Sequence, residues 1–167
     1  MGYIVFQTDF GGHSTGSMAG VCRIVDPSLK IFELTHSVPK FDVETAGKNL
    51  VEVIPFWPAG TVFVSVVDPG VGTPRKACVA KTKSGHYIVT PDNGILDIVN
   101  RELEIESVHE IDQSVNRFKG NHWSEESEIF HGRDVFAYTG AKLASGKIDI
   151  DGAGPEYPVT EIVSYEK

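Results

Sequence analysis

The chain has 167 residues, 41% of them hydrophobic and 23% charged, and a formal net charge of -8. That length fits one domain with a sizeable core, and the composition is that of a soluble globular protein. The acidic balance excludes non-specific nucleic-acid binding, which needs a basic surface, and no apolar run approaches the ~20 residues of a membrane span. The N-terminus, MGYIVFQTDF, has no basic region of the kind a signal peptide carries. Cys22 and Cys78, the two cysteines, sit among apolar residues and read as reduced core thiols. A cytoplasmic location is therefore expected.

Tyr3 to Thr8 reads as a strand that breaks at Asp9-Phe10-Gly11-Gly12. Ser14 to Val25 reads as a helix, with Ser14 or Thr15 as its cap and Asp26-Pro27 as its stop. Ile31 to Thr35 is a short strand. Asp42 to Ile54 carries apolar residues at helical spacing, with Asp42 suited to the cap. Val62 to Val67 is apolar without alternation, as expected of a strand covered on both faces. Ala77 to Lys81 and Tyr87 to Thr90 pair across a turn at residues 83–86. Gly94 to Asn100 begins a short helix, and Val108 to Ile111 is a further strand. Gln113 to Glu128 is polar and irregular. Gly132 to Ser145 is helical, and Val159 to Val163 is expected as a last strand.

Strands alternating with helices predict an α/β layered domain, with a central, mostly parallel sheet flanked by helices. Such sheets bind ligands at the carboxyl ends of their strands. Thr8-Asp9-Phe10-Gly11, Thr35-His36-Ser37, Asp68-Pro69-Gly70 and Pro91-Asp92-Asn93-Gly94 all fall at strand ends and form a polar rim.

Each candidate group on that rim has a plain reading beside a functional one. Asp9 either closes a turn or accepts ribose hydroxyls. Asp68 and Arg75 are either a structural ion pair or a carboxylate kept ionised for chemistry by its guanidinium. The two glycines of their loop, Gly70 and Gly72, let backbone turn sharply near a ligand. His131 either caps or packs at a helix start, or offers a neutral imidazole whose pKa the helix dipole lowers. Phe41 is either a core or staple residue, or a stacking surface. No Gly-Lys-Ser/Thr phosphate loop, kinase motif set or Gly-x-Ser-x-Gly elbow occurs. The histidines and cysteines lack metal-ligand spacing, so no metal is expected.

Five segments in one order carry a family resemblance: TDFG at 8–11, THSVPKFDVETAG at 35–47, GTVFVSVVDPGVGTPR at 60–75, PDNGIL at 91–96 and FHGRDVFA at 130–137. Together they resemble the S-adenosylmethionine hydrolases, or hydroxide adenosyltransferases, relatives of the fluorinases and chlorinases. The resemblance implies hydrolysis of S-adenosylmethionine to adenosine and methionine, by in-line attack of water at the 5′ carbon. It implies no cofactor, a small-molecule partner only, and a homotrimer.

The family's catalytic Asp-Arg-His set falls on Asp68, Arg75 and His131. Its ribose-binding aspartate falls on Asp9, and Phe41 and Phe130 match positions lining the ribose and reacting carbon. Phe10, Asn93 and Gly132 complete the substrate-binding set implied by the motifs. Halogenating relatives carry a non-acidic residue where this chain has Asp68, so water is favoured over halide. Family members continue into a β-barrel domain that this sequence is expected to lack, leaving residues 1–167 as a single N-terminal catalytic domain. The reading from another class is a non-catalytic nucleoside-binding or oligomerisation domain.

Overall fold

The structure, a computed structural model, describes residues 2–71, 73–119 and 130–166. Gly72, and the part of the irregular 113–128 stretch from residue 120 onward, lie outside the described residues. The strands are β1 (Tyr3–Thr8), β2 (Lys30–Thr35), β3 (Val62–Val66), β4 (Ala77–Thr82), β5 (Tyr87–Pro91), β6 (Ile105–Glu110) and β7 (Glu156–Tyr157). They form one sheet in the order β2-β1-β3-β5-β4-β6-β7. Parallel pairings join β2, β1, β3 and β5; antiparallel pairings add β4, β6 and β7. The domain is thus an α/β layered fold with a parallel centre and an antiparallel flank.

The helices are α1 (Thr15–Val25), α2 (Val43–Val53), α3 (Ile95–Leu103), α4 (Tyr138–Ala144) and the short α5 (Ile150–Ala153). A π-helical segment, Gly132–Ala137, leads into α4. Every residue of β3 is buried because both faces are covered. Ile4, Phe6, Val62, Val64 and Val66 face one core with Met18, Cys22 and Val135. Val5, Phe63 and Ile88 face the other, with Leu50, Ile54, Leu96 and Val99. The period of two thus splits one apolar run between two layers. Both cysteines are buried and free, and burial pushes the Cys22 thiol up to about 12.

Local chemistry sets the ends. Asp42 accepts the Thr45 N–H at 3.0 Å and caps α2. Ser14 occupies the cap position of α1, but its side chain makes no capping bond. Gly94 precedes α3 with φ 109, and a Cβ there would press on Tyr165 at 3.3 Å. Gly47 lets α2 approach α3, since a Cβ would lie 2.9 Å from Ile98.

The expected last strand over Val159–Val163 is not formed. Val159–Glu161 is a single 3-10 turn, and β7 lies just before it. Pro158 cannot donate to a ladder. The Val163 N–H instead goes to the Asp92 carboxylate at 3.0 Å, and the Tyr165 N–H to Asp97 at 2.8 Å. Side chains, not a neighbouring strand, hold this segment. Among the described residues no helix is long and apolar enough to cross a membrane.

Candidate active site

The parallel centre brings the carboxyl ends of β1, β2, β3 and β5 to one edge. Side-chain and backbone bonds knit that edge together. Thr8 Oγ1 lies 2.8 Å from His36 Nδ1, and the Gly11 N–H reaches the His36 carbonyl at 3.0 Å. The Asn93 amide donates to the Val67 carbonyl at 2.8 Å, joining the end of β5 to that of β3.

Asp68 leaves β3 at this edge and is only 6% exposed. Arg75 grips it: Nε lies 3.1 and 3.2 Å from the two carboxylate oxygens, and Nη2 also donates to Oδ2. The glycine loop makes this grip possible. A Cβ on Gly70 would lie 3.0 Å from Thr73 Oγ1 and 3.3 Å from Arg75 Cγ. Behind the pair, the guanidinium carbon lies 5.5 Å from the Phe136 ring centroid, a cation–π contact.

Arg75 Nη2 also lies 3.3 Å from His131 Nδ1. A guanidinium only donates, so Nδ1 must accept and the imidazole proton sits on Nε2. His131 is held below its ordinary pKa, first by burial, then by the Arg75 and Arg117 charges; Asp68 and Asp134 oppose this more weakly. Burial and Arg75 thus act in the direction that the helix start was expected to act. The outcome is a neutral imidazole locked to a buried ion pair, with an Nε2–H that has no partner among the described residues.

Asp9, Phe10, Phe41, Asp68, Phe130, His131 and Gly132 line a cleft of about 210 Å³ at this edge. Gly132 brings two rings together here: a Cβ would meet Phe10 Cζ at 3.0 Å and Phe130 Cε1 at 3.1 Å. Those rings sit 5.7 Å apart. Asp9 accepts the Phe41 N–H through Oδ2 at 2.8 Å and holds Phe41 at φ 64. Its Oδ1 has no hydrogen-bond partner among the described residues, so it is open to a ligand hydroxyl.

Arg75 stands behind Asp68 rather than in the cleft wall, and Asn93 does not line the cleft. The Asn93 side chain is taken up by Val67 and by the Ile95 N–H, so it braces the strand end before Asp68. Lys40, Val66 and Val71 line the cleft without having been singled out from sequence. Val66 was legible as the last buried position of β3 on the α1 face. A larger cavity of about 530 Å³, beside α1 and α4, contains none of the candidate residues and no acid–base pair. Among the described residues no cluster of three or more His, Cys, Asp or Glu could hold a metal ion.

Residues 4–154 match the model of the SAM hydroxide adenosyltransferase N-terminal domain. The chain belongs to this family. It is 36% identical over 146 residues to the (R)-S-adenosyl-L-methionine hydrolase of Methanocaldococcus jannaschii, covering 84% of this chain and 52% of that protein. It is 37% identical over 164 residues to the Thermus thermophilus protein of the same name, covering 93% and 62%. A fluorinase of Actinoplanes sp. is 25% identical over 188 residues, covering 98% and 61%. In fold, the domain superposes on an uncharacterized conserved protein from Thermotoga maritima with a TM-score of 0.88 and 38% identity, covering 98% of this chain and 62% of that one. The chain thus spans between half and two thirds of the length of these relatives.

Proposed function

We propose that the protein hydrolyses S-adenosylmethionine to adenosine and L-methionine, through a water held at the 5′ carbon by Asp68 and His131. The observation that carries this reading is the connected set Asp68–Arg75–His131, a buried carboxylate and a neutral imidazole joined by one guanidinium at a cleft. The names of the relatives at 36–37% identity support the substrate.

The chemistry asks little of the protein beyond placement. Sulfur leaves readily from a sulfonium, so the main task is to orient the nucleophile and strip its solvent. His131 Nε2–H donates to the water oxygen, and Asp68 accepts one of its protons. The remaining lone pair is then directed at C5′. As the O–C5′ bond forms, the C5′–S bond breaks and its electron pair returns to sulfur as the methionine thioether. The water proton passes to Asp68 and then to solvent. Arg75 orients the Asp68 carboxylate and fixes the imidazole tautomer. No step calls for a metal or cofactor. An ionised carboxylate in the wall also disfavours a halide nucleophile.

The cleft volume favours a second reading. Pockets for drug-sized ligands run to ~300–1,000 Å³, more than the 210 Å³ here. That space suits a ribose and its reacting carbon, with adenine and methionine needing further surface. A nucleoside-binding domain without turnover would show the same cleft. Incubation of the full-length protein with S-adenosylmethionine, followed by chromatography for adenosine and methionine, separates the two. Calorimetric binding of adenosine without any product from S-adenosylmethionine supports the binding domain alone. A cytoplasmic location and a homotrimer, testable by fractionation and light scattering, belong to the same proposal.

A further inference from the structure

Phe41 adopts φ 64, a costly conformation for a residue with a Cβ. Two bonds hold it there: Asp9 Oδ2 takes its N–H at 2.8 Å, and its carbonyl accepts the Val43 N–H at 3.0 Å. The result is a ring left 51% exposed at the mouth of the cleft. The ring already has a cation on it. The Lys40 ammonium lies 5.3 Å from its centroid, and among the described residues no carboxylate forms an ion pair with Lys40.

We infer that the Phe41 ring is the cation face of the cleft, taking the sulfonium of the substrate where Lys40 rests in the ligand-free chain. This rests on the reading of S-adenosylmethionine as substrate. An aromatic face attracts either cation through its quadrupole. The two differ in hydration: an ammonium is strongly hydrated, whereas a sulfonium carries three carbon substituents and no N–H donors. Exchanging the strongly hydrated Lys40 head for the sulfonium on the ring is therefore a net gain. Asp9, at the base of the same turn, adds a negative charge on the substrate's side.

This assigns Phe41 a role in specificity. The charged sulfonium is preferred over the neutral thioether, which differs from it by one methyl group and one positive charge. The positive charge is lost as the C5′–S bond breaks, so the contact strengthens substrate binding more than it lowers the barrier. Its loss should appear in KM rather than in kcat.

The test uses the full-length protein with Phe41→Leu, Phe41→Trp and Lys40→Gln, each first checked by thermal melting. KM and kcat are measured for S-adenosylmethionine, and the inhibition constant for S-adenosylhomocysteine, the uncharged thioether. Phe41→Leu is expected to raise KM about three- to thirty-fold while the thioether constant changes less than about twofold. Phe41→Trp should retain or lower KM, and Lys40→Gln should lower it. Equal losses for both ligands in Phe41→Leu would reduce the ring to an apolar contact and overturn the inference. A raised KM in Lys40→Gln would overturn it too, by showing that Lys40 binds the substrate itself. A wild-type protein that releases no adenosine overturns the hydrolase reading, and this inference with it; unequal failures among the variants touch the inference alone.

Discussion

Arg75 and His131 meet through Nη2 and Nδ1 at 3.3 Å, while the same guanidinium holds both oxygens of Asp68. This contact decides the tautomer of the imidazole. It occupies the nitrogen that would otherwise act as a base and leaves a proton on Nε2, so that Asp68 is the proton acceptor in the proposed mechanism. Each consequence can be measured.

Removing the acceptor is the most severe change. Asp68→Asn keeps the shape and loses the charge, and should lower kcat by about 10²–10⁴ with little change in KM. Asp68→Ala should also cost stability, on the order of 3–5 kcal/mol, because it strands a mostly buried guanidinium. Steady-state kinetics and denaturant titration read the two effects separately.

The imidazole must be neutral for its Nδ1 to accept from Arg75. Burial and Arg75 hold the His131 pKa below its ordinary value of 6.5. Activity should therefore be flat near neutrality and fall on the acid side, with a midpoint below 6.5 if His131 controls it. Stability has the same sign. As pH falls below the ordinary value, the unfolded chain gains a proton that the folded one refuses, so stability declines until folded His131 itself protonates. His131→Asn should remove this part of the acid dependence in thermal melts. A limb unchanged in that variant would assign it to another group.

Gly132 is where two rings close on the backbone. Gly132→Ala should cost about 1–3 kcal/mol through overpacking against Phe10 and Phe130. It should also raise KM by narrowing the cleft. A melting curve and KM that both match wild type would mean that the rings yield freely.

Asp92 sits at the same sheet edge as Asp68 but does different work. It accepts the Tyr157 hydroxyl at 2.8 Å and the Val163 N–H at 3.0 Å. Asp92→Ala should destabilise the protein by roughly 1.5–3 kcal/mol, the range for hydrogen bonds to a charged group. Activity per folded molecule should be retained. Chemical denaturation and specific activity, measured on one preparation, check both.

Much of this was legible in residue patterns, for physical reasons. The unbroken apolar run of β3 reports two covered faces, and Asp42 before a helical stripe reports a cap. The strand-end motifs marked the edge where Asp9, Asp68 and His131 come together. Three features were not legible. Val159–Val163 has a strand's composition, but bonds to Asp92 and Asp97 side chains, distant in sequence, replaced the ladder. Asn93 sits in one of the strand-end motifs, yet its amide is consumed by Val67. The left-handed turn at Phe41, which sets its ring and Lys40 at the cleft mouth, depends on a bond from Asp9, 32 residues away. Local propensity carries no record of such a bond.

In the proposed reaction a water activated at Asp68 attacks the 5′ carbon. The most direct measurement is turnover of S-adenosylmethionine by the full-length protein in ¹⁸O-water, with mass analysis of the adenosine, for wild type and Asp68→Asn. The expected result is one ¹⁸O in the 5′-hydroxyl of adenosine from wild type, and loss of that product in the variant. Unlabelled adenosine, or labelled adenosine formed as fast by Asp68→Asn as by wild type, would contradict it.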